Sequence, residues 1–251
     1  MDHADTASNP LNAFRICCLP ENFYYVPNFI TSEEDASILL KLPPNRWISL
    51  SHRRLQVHPS QLSSSNTLLD APLPAWLTTT PPILQRFEEL GVFANTPHGQ
   101  PNHCLINEYN PGEGIMPHED GSAYAPVVAT VSLGDNIVLD IYDKRKGEND
   151  ANDDESPGNG LPPIARIFQE PGSLLITTGE AYTSLLHGIS PITEDVGLGP
   201  DTVANWDSLS EATRNKIVDA GGKSVRGTRT SLTYRDVLKV RKVGIGIVGK
   251  R

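Results

Sequence analysis

Only three of the 251 residues are cysteine: Cys17, Cys18 and Cys104. Three thiols cannot build a disulfide framework, and sequence neighbours such as Cys17 and Cys18 make a poor pair. Reduced thiols in an intracellular setting, nucleus or cytoplasm, are therefore expected. No apolar run approaches the roughly 18–20 residues that span a bilayer as a helix, so no membrane partner is expected. Residues 1–15 lack a basic start followed by an apolar stretch, so no secretory signal is expected. No internal repeat is found, and a monomer is expected. Positive charge is also in deficit. The 21 basic and 30 acidic side chains leave −9, which argues against a protein that coats nucleic acid non-specifically.

That total hides an asymmetry. Residues 223–251 hold nine basic side chains against one acidic, Asp236, a local +8 that leaves −17 on the first 222 residues. Any argument about an anionic partner is therefore local. Glycine and proline are plentiful, 20 and 21 residues, a richness that suits many short strands better than a helical bundle.

Residues 1–13 are small and polar and read as frayed. Phe23–Ile30 reads as a strand or its approach. Thr31 or Ser32 caps a helix with Glu33, Glu34 and Asp35 in its first turn, and Pro43-Pro44 stops it after Leu42. Residues 45–75 read as irregular. Pro81-Pro82 opens a second helix ending near Gly91. From 103 onward short apolar runs alternate with turns: 103–109, 127–133, 137–142, 164–169, 173–177, 228–234 and 237–240. This spacing predicts an all-β sandwich or barrel. Two segments break the rhythm. Gly147–Gly160 carries five acidic residues between Glu148 and Glu155 and reads as a solvated loop. Residues 193–225 form an insertion with helical spacing at Trp206, Leu209, Ile217 and Val218.

The densest chemical signal is Pro117-His118-Glu119-Asp120-Gly121, after Asn110-Pro-Gly-Glu-Gly114. Residues two apart on a strand share a face, so His118 and Asp120 would present an imidazole beside a carboxylate. His187, a polar residue inside the apolar run 185–189, is the best third ligand. Two histidines and one carboxylate on one face of an octahedron are the ligand set of non-haem Fe(II) oxygenases. His3, His52, His58, His98 and His103 lack comparable partners, although His103 could point into a core. In Arg229-Thr-Ser-Leu-Thr-Tyr-Arg235, alternation sets Arg229, Ser231, Thr233 and Arg235 on one face and Thr230, Leu232 and Tyr234 on the other. Two guanidinium groups facing a barrel interior are costly unless an anion fills it. A dicarboxylic acid would do so, because the arginine fork matches carboxylate geometry. An exposed sheet face with two solvated arginines is the plainer alternative.

Taken together, these residues resemble the AlkB family of Fe(II)- and 2-oxoglutarate-dependent dioxygenases. The resemblance runs from about 103 to 236, in the order H-x-D, distal His, then R-x-x-x-x-x-R, with Asn107-Glu108-Tyr109 matching the family's N-x-Y. The stretch Tyr109–Gly121, with Thr130–Gly134 downstream, is most similar to the AlkB homologue six subfamily. The resemblance implies a double-stranded β-helix, or jelly-roll, core that is mainly β with flanking helices. It implies Fe(II) held by His118, Asp120 and His187, with O2 as oxidant. It implies 2-oxoglutarate held by Asn107, Tyr109, Arg229 and Arg235. Ser231 stands where the bacterial archetype has asparagine. The implied division is 1–102, helices and strands with a substrate-recognition lid, and 103–251, the core with insertions at 147–160 and 193–225.

The implied reaction is oxidative demethylation of alkylated RNA or DNA, single-stranded or locally unpaired, releasing succinate, CO2 and formaldehyde. Arg53 and Arg54 in the lid would meet phosphates, and Tyr124 or Tyr182 would stack on or border a base. In isolation, the arginines read equally as a solvated loop and the tyrosines as core or rim packing. Two other readings stay open. One is a protein side-chain hydroxylase or demethylase. The other is a nucleic-acid reader with little catalytic activity.

Overall fold

The computed structural model describes residues 9–20, 22–144 and 162–242. Two antiparallel sheets enclose a cavity between them. The larger has seven strands, in the order β1 (Phe23–Val26), β10 (Leu174–Thr178), β7 (Tyr124–Leu133), β14 (Arg229–Val237), β5 (His103–Tyr109), β3 (Arg53–His58) and β2 (Ile48–Leu50). The smaller has four, in the order β6 (Ile115–His118), β11 (Leu185–Ile189), β8 (Ile137–Asp143) and β9 (Ala165–Gln169). From β5 to β11 the chain crosses between the sheets at each step except β8 to β9, which pair within the small sheet, and β14 returns to the large one; this is the double-stranded β-helix arrangement, mainly β with flanking helices. Two short pairs complete the strands: β12 (Glu194–Asp195) with β13 (Ser224–Val225), and β15 (Lys239–Arg241) parallel to β4 (Thr67–Leu69).

The large sheet is two-sided because its strands alternate. On β14, Leu232 and Tyr234 are fully buried on the face away from the cavity, with Ile106 of β5 and Ala129 and Val131 of β7. The helices α1 (Ser32–Lys41) and α2 (Ile83–Glu89) cover that face through Ile38, Ile83 and Phe87. Burying each such side chain contributes roughly 1.5–3 kcal/mol. The Tyr234 hydroxyl donates to the Leu77 carbonyl (2.8 Å), so its polar end is satisfied. Thr31 caps α1 in a reciprocal capping box with Glu34. Arg86 of α2 then grips the same Glu34 with both terminal nitrogens (2.8 and 2.7 Å), locking the helices together.

The N-terminal segments depart from the sequence expectation. Pro10–Phe14 is a 3-10 turn with Leu11 buried, because Leu11 joins the helix-side core. Residues 45–75 are not irregular throughout. They supply β2 and β3, and β3 hydrogen-bonds to β5 from Arg54↔Glu108 to His58↔Cys104. In the 193–225 insertion a 3-10 turn, Trp206–Ser208, leads past the buried Leu209 into α4 (Glu211–Asp219), which buries Ile217, whereas Val218 is 63% exposed. α3 (Gly179–Ser184) joins β10 to β11. The insertion is stitched to the edge of the small sheet. Asn205 accepts from the Phe168 amide (2.9 Å) and donates to its carbonyl (2.7 Å), taking the place of a further strand. Glu170 accepts from the hydroxyls of Ser210 and Tyr25. The acidic segment 147–160 and the apolar tail 243–248 lie outside the described residues.

Candidate metal centre and its cavity

His118 ends β6, and His187 is its direct partner in register on β11. Their rings lie 4.4 Å apart between centroids. Two glycines allow this approach. A Cβ on Gly188 would meet the Ile115 carbonyl oxygen and the Pro117 nitrogen at 3.1 Å, and one on Gly114 would lie 2.2 Å from the Ile189 carbonyl oxygen. Asp120 follows just past the strand end. One donor atom from each of His118, Asp120 and His187 lies within 4.8 Å of the others. The His118 Nδ1–H donates to the Met116 carbonyl (2.9 Å), which leaves Nε2 as the free donor. Burial pushes the His187 imidazole down from 6.5 to about 4 and lowers His118 too, so both are neutral near pH 7 and able to ligate.

The triad opens on a cavity of about 500 Å3 between the sheets. Its opposite wall is the inward row of β14: Arg229, Ser231, Thr233 and Arg235, all buried. The β5 row faces the same way, with Tyr109 in register with Arg229, Asn107 with Ser231, and His103 with Arg235. Arg229 is the deep cation. Burial lowers it to about 10, still charged at neutral pH. Its Nη2 donates to Ser132 Oγ (2.9 Å) and Gln169 Oε1 (3.3 Å), both neutral, while its Nε finds no partner. Arg235 donates to Asp120 Oδ1, lies over the Tyr124 ring (4.9 Å) and also leaves Nε unpaired. Burial raises the Tyr109 phenol, keeping it protonated.

The residues present suit an Fe(II) ion and an anionic co-substrate. Two neutral imidazoles and one carboxylate converge on a point, and the buried Arg229 guanidinium, which pairs with no carboxylate among the described residues, faces the same space. Arg53 and Arg54 point to opposite sides of β3. Arg53 lines the cavity and donates to Asn107 Oδ1 (3.2 Å). Arg54 pairs with Glu108 (2.6 Å) and lies over Trp47 (4.4 Å), so its charge is already engaged. Tyr124 and Tyr182 both line the cavity, and the Tyr182 hydroxyl donates to the Gly121 carbonyl (3.2 Å). Contrary to the sequence expectation, His98 and His58 have partners. His98 Nδ1 meets the fully buried Asp236 at 2.5 Å, and His58 Nδ1 lies 3.0 Å from Arg46. Gln169 and Ser132 went unnoticed in the sequence. Gln169 ends its strand next to Glu170, so nothing in the local sequence separates it from an ordinary polar strand end, unlike His187 inside its apolar run.

This fold and site define a non-haem Fe(II) oxygenase that uses a 2-oxo dicarboxylate. Residues 22–235 match the 2OG-Fe(II) oxygenase superfamily, and the chain belongs to it. Among curated relatives, a Danio rerio protein described as "Probable RNA/DNA demethylase ALKBH6" is 35% identical over 92% of each chain. The AlkB dioxygenase of Salmonella typhimurium is 33% identical over 37% of each. A Macaca fascicularis "tRNA (carboxymethyluridine(34)-5-O)-methyltransferase ALKBH8" is 29% identical over 87% of this chain and 31% of its own length. Among solved structures, OsALKBH1 superposes with a TM-score of 0.48 at 16% identity, over 87% of this chain and 99% of that one. The chain is a dioxygenase of the AlkB group, dependent on Fe(II), 2-oxoglutarate and O2.

Proposed function

We propose that the chain oxidatively demethylates alkylated RNA or DNA, presented single-stranded or locally unpaired, with His118, Asp120 and His187 as the iron ligands. The observation that carries this reading is the pairing, within one cavity, of that triad with the deep unneutralised Arg229. The description of the Danio rerio relative as a probable RNA/DNA demethylase supports a nucleic-acid substrate. Iron with 2-oxoglutarate and O2 supplies the C–H oxidation. One oxygen atom leaves in succinate and the other in a hydroxymethyl group, which departs as formaldehyde.

The chain's own residues bind, orient and shield. Arg229 takes the distal carboxylate of 2-oxoglutarate, with the Tyr109 hydroxyl and Ser231 beside it. Asn107 and Arg235 hold the end nearer the metal. Asp120, which Arg235 holds by a hydrogen bond, would be the carboxylate that holds the metal. The apolar cavity residues Leu105, Ile115 and Leu186 limit water at the reacting centre. Arg53, Tyr124 and Tyr182 border the space left for the base, and Arg53, which pairs with no carboxylate among the described residues, would meet a phosphate there. The loop after β3 contributes Leu62 and Asn66 to the same rim and acts as the lid.

Purified protein with Fe(II), 2-oxoglutarate and O2 should release succinate, and methylated oligonucleotides should yield formaldehyde. Asp120→Ala and His187→Ala should abolish turnover while urea unfolding stays cooperative. Full turnover in either variant overturns the metal assignment. Formaldehyde from protein extracts but not from oligonucleotides overturns the nucleic-acid reading. Oligonucleotide binding without succinate release points to a reader.

A further inference from the structure

We propose that Gln169, backed by Ser132, forms a selective end wall of the co-substrate pocket and sets the length of the dicarboxylate accepted. The inference rests on the assignment of Arg229 to the distal carboxylate. Gln169 ends β9 of the small sheet, while Ser132 and Arg229 lie on β7 and β14 of the large one. All three meet at one point. Arg229 Nη2 donates to both Ser132 Oγ and Gln169 Oε1, and the Ser132 hydroxyl donates to Gln169 Oε1 at 3.2 Å. This junction bridges the two sheets: Gln169 and Arg229 line the cavity, Ser132 backs them, and each member is nine-tenths or more buried.

The chemistry of the wall is as specific as its position. Both oxygens on Arg229 are neutral. They orient the guanidinium without cancelling its charge, and no carboxylate among the described residues pairs with it. A glutamate at 169 would fill the same volume and supply an internal anion, competing directly with the ligand. An alanine would remove the amide and deepen the pocket by several atoms, enough for a longer diacid. Gln169 Oε1 already accepts from two donors. Its amide nitrogen is the donor left over for a carboxylate seated on Arg229.

The test is calorimetric binding to Mn(II)-loaded protein under anaerobic conditions, with 2-oxoglutarate and the one-methylene-longer 2-oxoadipate as ligands. One methylene in a fitted pocket is worth about 10-fold or more in discrimination. Gln169→Ala should therefore shift the 2-oxoglutarate to 2-oxoadipate affinity ratio by about that factor toward the longer acid. Gln169→Glu should weaken 2-oxoglutarate by about 100-fold, the scale of a lost charged contact, while its thermal midpoint without ligand is no lower than wild type. A purely structural link predicts the opposite pattern: lower midpoints in both variants and an unchanged ratio. An unchanged ratio in Gln169→Ala, or undiminished 2-oxoglutarate affinity in Gln169→Glu, overturns the proposal. Gln169→Glu is near-isosteric and decides the matter if the alanine variant does not fold. Arg229→Met separates the two levels. If it binds 2-oxoglutarate as wild type does, the Arg229 assignment fails and the wall with it. If it loses binding while both Gln169 variants match wild type, only the wall fails.

Discussion

Buried histidines set the acid limit of this molecule. His58 and His103 are both pushed down from 6.5 to about 4, first by burial and then by a neighbouring cation, Arg46 for one and Arg235 for the other. Between about pH 4 and 6.5 the unfolded chain holds protons on these rings that the folded chain refuses. Stability therefore rises with pH across that window, is fully present above about 6.5 and is lost as pH falls toward 4. Urea unfolding of the metal-free protein at pH 4.5, 5.5 and 7 should show the rise, and a flat or falling trend would refute it. Among the described residues no well-formed hydrogen bond reaches either ring nitrogen of His103, and only the Ser60 backbone makes a weaker contact, so His103→Phe should make the slope shallower without lowering stability at pH 7. At this scale the sequence was most legible where a polar residue interrupts an apolar run. His187 and the alternating Arg229–Arg235 face were visible for that reason. Gln169 ends its strand beside Glu170 and interrupts no apolar run, and only its contact with Arg229 gives it meaning.

At the scale of elements, the spacing between β6 and β11 is the sensitive quantity. Gly188 faces backbone atoms of β6, not a side chain that can turn aside. Gly188→Ala should push the strands apart and move His118 off His187. The expected result is a loss of metal affinity of about 10–100-fold, the range for disturbed support of metal ligands, with cooperative unfolding retained. Competition with a metal-sensitive dye measures it, and wild-type affinity would contradict the close-approach argument. The strands from 103 onward were legible because they are apolar runs bounded by turns. β3 was not. In Arg-Arg-Leu-Gln-Val-His the alternation spans only Leu55 to His58 and Arg53 puts a charge on the apolar face, so the run marks a strand weakly. It is a strand because β5 offers it a ladder, a partner distant in sequence.

For the whole molecule, the cavity joins both sheets to one ligand set, so occupancy should be felt globally. A ligand that binds only the folded state stabilises it by about 2.7 kcal/mol at 100 times its dissociation constant. Mn(II) with 2-oxoglutarate should therefore raise the thermal midpoint, a chelator should reverse the gain, and Arg229→Met should lose the 2-oxoglutarate part of it. No change on adding either ligand would contradict a preformed site. The sequence alone determined the class of chemistry. Ligand identity, arginine spacing and turn punctuation are local patterns, and local patterns are written along the chain. The tertiary structure alone decided which groups meet: His118 with His187 across two strands, Arg235 with Asp120, and Gln169 with Arg229 across two sheets. Each of those contacts joins segments far apart in sequence. Their geometry depends on strand order and register, which arise when the whole chain packs.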